Sequence, residues 1–419
     1  MGPVHPDWKA AAGTDTLSDT SPARRNFMES PVMAKQSWTL IDTTQGVYVD
    51  TLSISAADVE GAPGDFSIGK RRLQGGLCEG VDVVEVNNGA IQFTILPTRG
   101  MGLWKAVCGE VELGWRSPAR GPVNPAFVPL WEPSGLGWLD GFDELIVRCG
   151  LESNGAPEFN ENGTLRYPLH GKIANTPAHK VEVAVDSESG EITVTGVVHE
   201  ARLFFNKLQL ATTYTTKIGQ PGFTVTDTVT NLWAEPSELV LLYHINFGVP
   251  LLGPGAKAVL PVAKMAPRDA VAVGNLPEWD TYGPESPGTP EAVFFFDLAA
   301  DARGNTQTLL KSADGNRGVS LVFNKNQLPC FTLWKNRQAA IDGYVTGLEP
   351  AINFPNAKSV EKRAGRVVTL APGESRCFEI ELTAHGDAET VARAEQAVKA
   401  LQKAVAPEIL EKPNPEWSA

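Results

Sequence analysis

Short runs in which apolar and polar residues alternate recur between Trp38 and Thr383. Such alternation predicts β-strands that place one face on a core and the other in water. Clusters of Gly, Pro and Asn separate the runs and predict turns. Hairpins repeated over so long a stretch predict an all-β fold, a large antiparallel sandwich. The clearest runs are 81–86, 90–96, 180–185, 191–198, 208–217 and 223–229.

The two ends of the chain depart from this pattern. Residues 1–35 are rich in Pro, Ser, Thr and Asp and contain no apolar h-region, so we expect a mobile tail without a secretory signal. Val391, Ala394, Val398 and Leu401 recur at helical spacing and predict one peripheral amphipathic helix. The sequence therefore predicts a single β domain over 36–385, followed over 386–419 by this helix and a polar tail.

Charge and composition narrow the range of partners. The 419 residues carry a net charge of −13, which argues against nucleic acid or an anionic membrane as the main partner. The sequence contains no run of about 18 apolar residues, so it predicts no membrane-spanning helix. The five cysteines are widely spaced and show no zinc pattern, so we expect reduced thiols and a cytoplasmic protein. A small molecule is the expected partner, and the oligomeric state is not indicated.

Four stretches set polar residues inside apolar or glycine-rich surroundings: 135–150, 167–178, 239–252 and 343–357. In the third, His244 follows an apolar run, so burial and any neighbouring carboxylate would set its pKa and suit it to carry protons. In the fourth, Pro350 biases Glu349 toward extended geometry, and a partly desolvated glutamate there suits a general base. The structural alternative for His244 is a core histidine that is hydrogen-bonded to backbone carbonyls. The alternative for Glu349 is an ordinary carboxylate in a surface loop.

Further side chains in or near these stretches could bind a sugar, through hydrogen bonds to its hydroxyl groups or through contact with its apolar face. Arg148, Arg99 and His170 can donate hydrogen bonds to hydroxyl groups, although each has a purely structural alternative. Lys335 and Asn336 are weaker candidates of the same kind. Aromatic rings suit the apolar face of a pyranose, and the rings in question are Trp131, Trp138, Phe142, Tyr167 and Trp334.

Other chemistries find little support in the sequence. It contains no phosphate-binding glycine motif, no HExxH and no GxSxG elbow, so nucleotide binding, a zincin-type site and serine hydrolase chemistry are not indicated. Six histidines and many acidic residues leave a non-local divalent metal site open as a minor alternative.

Six ordered motifs resemble those of one family. They are LPTRGMGL at residue 96, LGWRSP at 113, GLGWLDGFDELIVRCGL at 135, YPLHGKIANTPA at 167, LLYHINFGVPLL at 241 and GLEP at 347. Over roughly 75–383 the chain resembles the galactose mutarotase-like (aldose 1-epimerase) superfamily, in particular its divergent bacterial branch of uncharacterised domain proteins. The resemblance implies a large antiparallel β-supersandwich and an enzyme that opens and recloses a sugar ring by acid/base catalysis without a cofactor.

The resemblance also implies roles for individual residues. His244 matches the general acid that protonates the ring oxygen, and Glu349 matches the base that takes the anomeric hydroxyl proton. His170 resembles the second, substrate-binding histidine, and Arg148 matches the sugar-binding arginine better than Arg99 does. The family's binding aspartate has no unique counterpart, because Asp140, Asp143 and Asp269 all compete for it.

Two departures from the family pattern leave the substrate open. The usual LHGG reads Leu169-His170-Gly171-Lys172, and Gly347-Leu348 replaces the usual acidic start of the glutamate loop. The leading hypothesis is an aldose 1-epimerase, a mutarotase that interconverts anomers. The alternatives are an isomerase, epimerase or lyase acting on an oxidised or keto-sugar, with or without a divalent metal, and a non-catalytic carbohydrate-binding protein.

Overall fold

A computed structural model describes residues 35–418, so the predicted tail at 1–35 lies almost wholly outside the described residues. The first strands are β1 Lys35–Asp42, β2 Val47–Tyr48, β3 Leu52–Ser55, β4 Ser67–Arg72, β5 Asp82–Asn87, β6 Ile91–Leu96, β7 Gly102–Cys108, β8 Val111–Leu113 and β9 Ile146–Leu151. Next come β10 Glu158–Phe159, β11 Leu165–Tyr167, β12 Lys180–Asp186, β13 Glu191–Ala201, β14 Lys207–Lys217, β15 Gly222–Asn231, β16 Ser237–Gly248, β17 Lys257–Val259 and β18 Val262–Pro267. The remaining strands are β19 Ala292–Leu298, β20 Asn305–Lys311, β21 Gly318–Asn324, β22 Cys330–Asn336, β23 Val345–Ala351, β24 Val368–Leu370, β25 Ser375–His385 and β26 Glu408–Ile409. The α-helices are α1 Ala270–Gly274, α2 Lys358–Arg363 and α3 Ala388–Gln402.

Alternating burial organises the strands where the sequence alternates. Along β14 and β15 nearly every second residue is buried, with the intervening threonines partly exposed. The buried side chains include Leu210, Tyr214, Val225 and Val229. The predicted all-β architecture is confirmed, because the six clearest alternating runs all fall on strands.

Two large sheets dominate the described residues. The first, ten-stranded, has the order β17-β20-β21-β25-β15-β14-β13-β12-β1-β2. The second, fourteen-stranded, runs β26-β18-β19-β22-β23-β16-β9-β7-β6-β5-β4-β3, with β24 beside β16 and β8 beside β7. Neighbouring strands pair antiparallel except β18 and β26. The largest buried cluster draws apolar side chains from both sheets, so the sheets enclose a shared core.

The centre of the second sheet is buried on both faces. All seven residues of β23 are buried, and β16 has a single partly exposed residue. One face of these strands contacts the intersheet core, and loops cover the other. Under those loops lies a second buried cluster that includes Trp138, Phe142, Leu242 and Phe354. Double-sided burial explains why the sequence around 239–243 is a continuous apolar run rather than an alternating one.

A buried ion pair joins the two sheets. Arg148, on β9 of the second sheet, contacts both carboxylate oxygens of Asp227, on β15 of the first. The Tyr243 hydroxyl donates to Asp227 at 2.7 Å, and Arg148 also donates to the Met101 carbonyl at 2.8 Å. Both charges are essentially inaccessible to water, so their stability depends on this complete set of partners.

The carboxyl-terminal helix is confirmed, with a structured segment after it. Asp387 accepts from the Thr390 amide at 2.8 Å and begins α3, whose Val391, Ala394 and Val398 are buried. Beyond it, β26 pairs with β18, and the Trp417 ring lies 5.2 Å from that of Phe354. The end of the described chain is therefore packed, where its polar composition predicts a tail. Within residues 35–418 no helix is both long and apolar enough to span a membrane.

Replacing Arg148 with Met should lower the free energy of unfolding by about 3–5 kcal/mol, because Asp227 would remain buried without its cation. Urea denaturation followed by tryptophan fluorescence measures this change. Arg376→Met is the matched control, since Arg376 lies on the exposed face of β25 and should tolerate the change. A variant at Arg148 as stable as this control would contradict a structural role for the pair.

Candidate active site

His244 and Glu349 lie side by side on the loop-covered face of the second sheet. The β16–β23 register pairs Ile245 with Leu348 and Asn246 with Gly347, so His244 stands opposite Glu349. His244 Nε2 lies 3.3 Å from Glu349 Oε1, and both side chains are buried. The sequence-predicted pair, about a hundred residues apart in the chain, thus meets within proton-transfer distance.

Asn246 fixes which nitrogen of His244 carries hydrogen. Its side-chain amide donates to the Glu144 and His244 carbonyls, each at 3.0 Å, which directs its oxygen toward the imidazole. That oxygen lies 2.6 Å from His244 Nδ1, so Nδ1 carries the hydrogen and donates it. In the neutral ring Nε2 therefore presents a lone pair to Glu349.

Burial drives this pair toward its uncharged form. Desolvation raises the pKa of Glu349 well above its usual range, and the nearby charge of Glu291 adds to this while Arg268 opposes it. Desolvation also lowers the pKa of His244, with a smaller contribution from His170. We take the neutral pair as the resting state: Glu349 holds the proton and His244 Nε2 is free to accept one.

Gly347 makes room for the pair. A methyl group at this position would stand 2.4 Å from Glu349 Oε1 and 3.2 Å from His244 Cε1. A side chain here would therefore displace the glutamate. This contact accounts for a glycine at the position where the sequence departs from the family pattern.

His170 enters from a loop opposite the sheet. Its backbone is left-handed, with φ of 57°, and Gly171 follows with φ of 72°. A Cβ on Gly171 would stand 2.1 Å from the Ser153 carbonyl, so only glycine fits there. His170 Nδ1 donates to the Asn154 carbonyl at 2.9 Å, which leaves Nε2 as the acceptor of the neutral ring. Burial lowers the pKa of His170 and so favours that neutral form.

Aromatic rings surround the two histidines. The centroids of Phe142 and Trp334 lie 5.0 and 5.2 Å from that of His244, and Trp138 lies 4.6 Å from His170. The indole nitrogen of Trp138 is buried without a hydrogen-bond partner among the described residues. These rings keep water away from the histidines and offer flat apolar surfaces to a ligand.

A cavity of about 340 Å³ opens over the pair, within the size range of small-molecule sites. Ten of its lining residues are apolar and six are polar. The polar ones are His170, His244, Arg268, Glu291, Thr332 and Glu349. The apolar ones are Leu136, Trp138, Leu139, Phe142, Ala156, Pro157, Leu169, Val293, Trp334 and Pro355.

Known proteins share this architecture and identify the family of the chain. A solved protein from Klebsiella pneumoniae, described as a candidate aldose 1-epimerase, superposes with a TM-score of 0.87 at 34% identity and covers 90% of this chain and 99% of its own. The sequence profile of DUF4432, a domain of unknown function, matches residues 78–384. This protein belongs to the DUF4432 family. Among curated protein sequences, none matches this chain significantly.

More distant structures share the fold with this DUF4432 protein. A galactose mutarotase-like protein from Clostridium acetobutylicum has 19% identity and a TM-score of 0.52, covering 76% of this chain and 98% of its own. Galactose 1-epimerase from Lactobacillus acidophilus has 12% identity and a TM-score of 0.51, covering 76% and 99%. The 34% identical Klebsiella protein and the DUF4432 match confirm the predicted resemblance to the divergent aldose 1-epimerase-like branch, and the superposed structures confirm the supersandwich fold.

Four residues predicted to bind substrate lie away from the cavity. Arg148 pairs with Asp227 because it is opposite Tyr243 in the register and so shares the core-facing side of the sheet. Arg99 is buried against Glu144 and the Val123 and Gly141 carbonyls. Lys335 donates to the Glu278, Trp279 and Thr281 carbonyls. Asp143 accepts from the Trp104 indole at 2.7 Å, and burial raises its pKa to about 7.

Of the remaining candidates, some line the cavity and others do not. Trp138, Phe142 and Trp334 line the cavity, whereas Trp131 and Tyr167 do not. Asp140 is exposed, and Asp269 caps α1 by accepting from the Ala272 amide at 3.0 Å. Asn336 donates to the Gly343 carbonyl at 2.8 Å. None of the three aspartates predicted as candidates for the binding role lines the cavity of this DUF4432 protein.

Sequence reasoning missed three polar residues of the cavity. Arg268 follows β18 and donates to Asp269 and Glu291, each at 2.9 Å. Glu291 precedes β19 and also accepts from the Trp334 indole at 2.7 Å. Thr332 stands opposite Glu349 in the β22–β23 register. The only sequence signal for Glu291 and Arg268 is a charge at the end of an apolar strand, which is common in turns.

Among residues 35–418, no group of three or more His, Cys, Asp or Glu side chains is placed to hold a metal ion. The metal-assisted alternative therefore gains no support from the described side chains.

Replacing Asn246 with Asp should raise the pKa of His244, because a carboxylate 2.6 Å from Nδ1 would stabilise the imidazolium. Histidine-selective ¹⁵N NMR should find the native ring neutral, with hydrogen on Nδ1, near pH 7. In the Asn246→Asp variant the ring should become cationic. Asn246→Ala separates loss of the amide from gain of charge. A native His244 already cationic at pH 7 would contradict the neutral resting pair.

Proposed function

We propose that this protein is an aldose 1-epimerase, which interconverts the anomers of a sugar by opening and reclosing its ring. The supporting observation is the pair itself: Nε2 of His244 and Oε1 of Glu349 lie 3.3 Å apart, buried, at the floor of a cavity of sugar size. Mutarotation needs two proton transfers and no cofactor, and this pair supplies one donor and one acceptor.

Substrate binding prepares the pair for reaction. In the empty cavity the charges of an ionised pair would be poorly solvated, so the proton rests on Glu349. A sugar changes this balance, because its anomeric hydroxyl donates to the glutamate and its ring oxygen accepts from Nε2. These hydrogen bonds favour transfer of the proton from Glu349 to His244. The bound pair is then a carboxylate base beside an imidazolium acid, whose remaining hydrogen is held by Asn246.

The reaction then conserves protons at every step. Glu349 removes the proton of the O1 hydroxyl, the C1–O1 bond becomes a carbonyl, and the bond between C1 and the ring oxygen breaks. His244 gives its Nε2 proton to that oxygen. Rotation about C1–C2 presents the other face of the aldehyde, and the reverse transfers close the ring. His170 Nε2, Thr332 and Trp138 supply hydrogen bonds to the hydroxyl groups that hold the sugar.

Replacing Glu349 with Gln should reduce the enzymatic acceleration of mutarotation by about 10²–10⁴-fold, since the base is lost while the shape is kept. Polarimetry on freshly dissolved sugar anomers measures the rate after subtraction of the spontaneous reaction. Glu110→Gln, at an exposed glutamate, is the matched control and should retain full activity. Unchanged activity in the Glu349 variant would exclude the assignment, whereas sugar binding without acceleration by the native protein would favour a non-catalytic binder.

The pH profile should show an acid limb of kcat/KM well below pH 6.5, the ordinary pKa of histidine. The sign follows from burial: the lowered pKa of His244 keeps the ring neutral, and the raised pKa of Glu349 keeps its proton, so the pair holds one proton over a broad interval. His170, Glu291 and Arg268 are the other titratable or charged groups lining the cavity. Initial rates measured from pH 4 to 8 test this, and a limb near 6.5 would contradict it.

A further inference from the structure

Most polar groups of the cavity come from strands or strand ends, and most of its apolar groups come from loops. His244, Glu349 and Thr332 rise from the strands of the floor, and Arg268 and Glu291 stand at strand ends beside them. The surrounding walls are loops, and they contribute mostly apolar side chains. The aliphatic wall residues are Leu136, Leu139, Ala156, Pro157, Leu169 and Pro355, beside the rings of Trp138 and Phe142 and the imidazole of His170. A ligand here meets hydrogen-bonding groups on one side and hydrocarbon on the other.

The charges of the cavity disfavour an anionic ligand. Arg268 is the only Lys or Arg among the described lining residues, and it is already paired with two carboxylates, those of Asp269 and Glu291. A sugar carboxylate or phosphate would enter a site that holds more negative than positive charge and offers no free cation. Like charges brought together at low dielectric weaken binding strongly.

The free hydrogen-bonding groups lie on the floor and on two wall residues, His170 and Trp138. Three buried polar atoms of the cavity have no hydrogen-bond partner among the described residues: Thr332 Oγ1, Trp138 Nε1 and Glu349 Oε1. With Nε2 of His170 and of His244, they are sufficient for one edge of a sugar. A hydroxyl pressed against Leu169 or the two prolines, which are only partly exposed, would lose water without gaining a partner, which is unfavourable.

Two leucines at the cavity edge extend the apolar wall outward. Leu136 and Leu139 flank the buried Trp138 and are 45% and 48% exposed. Solvent-exposed leucines that line a cavity gain from contact with an apolar group of a ligand, because its burial and theirs are both favourable. A methyl group suits this wall, and a hydroxymethyl group does not.

We infer that the substrate is an uncharged deoxy-aldose that presents a methyl group to the wall formed by Leu136, Leu139 and Leu169. This inference rests on the proposed function, and it adds the substrate class. Hydroxymethyl, carboxylate and phosphate groups at the same carbon are disfavoured, the last two by the paired state of Arg268.

Sugars that differ only at C6 test the inference without assuming a stereochemistry. One series is D-fucose, D-galactose, D-galacturonate and D-galactose 6-phosphate; another is D-quinovose, D-glucose, D-glucuronate and D-glucose 6-phosphate; L-rhamnose and L-mannose form a pair. In the series that the protein accepts, kcat/KM for anomerisation should be about tenfold higher for the deoxy sugar than for the hydroxymethyl sugar. It should be about a hundredfold lower for the charged members.

A substitution in the wall tests the cause of the preference. Leu139→Gln should abolish or reverse the preference for the deoxy sugar, because it supplies a hydrogen-bonding partner at the edge. Leu232→Gln is the matched control, since Leu232 is 49% exposed and lies outside the cavity lining, and it should keep the native preference. Equal preference in native protein and the Leu139 variant would overturn the role of the wall.

Calorimetric binding of the same sugars separates this inference from the proposed function. Preferential binding of the deoxy sugars without acceleration would refute the epimerase and support the substrate class. Acceleration without preference, or with preference for a hydroxymethyl or charged sugar, would support the epimerase and overturn the substrate class. Neither binding nor acceleration in any series would overturn both.

Discussion

Successive side chains of the buried strand β16 point to opposite faces of the sheet, and they place the ion-pair network on one face and the acid/base pair on the other. On β16, Tyr243 faces the intersheet core and completes the Arg148–Asp227 ion pair, while His244 faces the cavity and meets Glu349. A register shift of one residue would exchange these faces and destroy both networks at once. The costly buried charges on the core side therefore oppose any slip of the strand on which the acid/base chemistry depends. Structural and chemical roles are thus divided between adjacent residues of one strand.

The same burial that positions the pair determines its protonation. The rings of Phe142, Trp138 and Trp334 surround His244, so an ionised pair would have little to solvate it before a ligand binds. In the proposed reaction a sugar brings the hydrogen bonds that solvate the charges, and charge separation becomes favourable only when the reactive oxygens are in place. A site of this kind separates charge mainly when substrate is bound, which matches the requirement that stabilisation be greatest along the reaction.

The sequence predicts the fold and the reactive pair better than it predicts the binding residues. Strands such as β14 and β15 alternate because one face meets water, and His244 and Glu349 interrupt apolar or proline-containing strands with ionisable groups. Arg148 and Arg99 gave the same signal for a different reason, since a cation after apolar residues marks a buried ion pair as well as a ligand site. Whether it faces the core or the cavity depends on register and on the covering loops, and local sequence fixes neither. Arg268, Glu291 and Thr332 were missed because their proximity arises only from strand order.

The walls of the cavity are held by long-range contacts that leave the floor untouched. The Asn154 and Asn353 side chains bond to each other at 2.9 Å across 199 residues, and Asn356 donates to the Trp417 carbonyl at 2.8 Å. The segment beyond α3 thus braces the turn that carries Pro355, six residues after Glu349 in the chain. Because these ties act on loops, changes in wall residues alter what the cavity accepts without moving the acid/base pair on its strands. For the proposed enzyme, this arrangement would let the sheet keep its proton chemistry while the loops above it select the sugar.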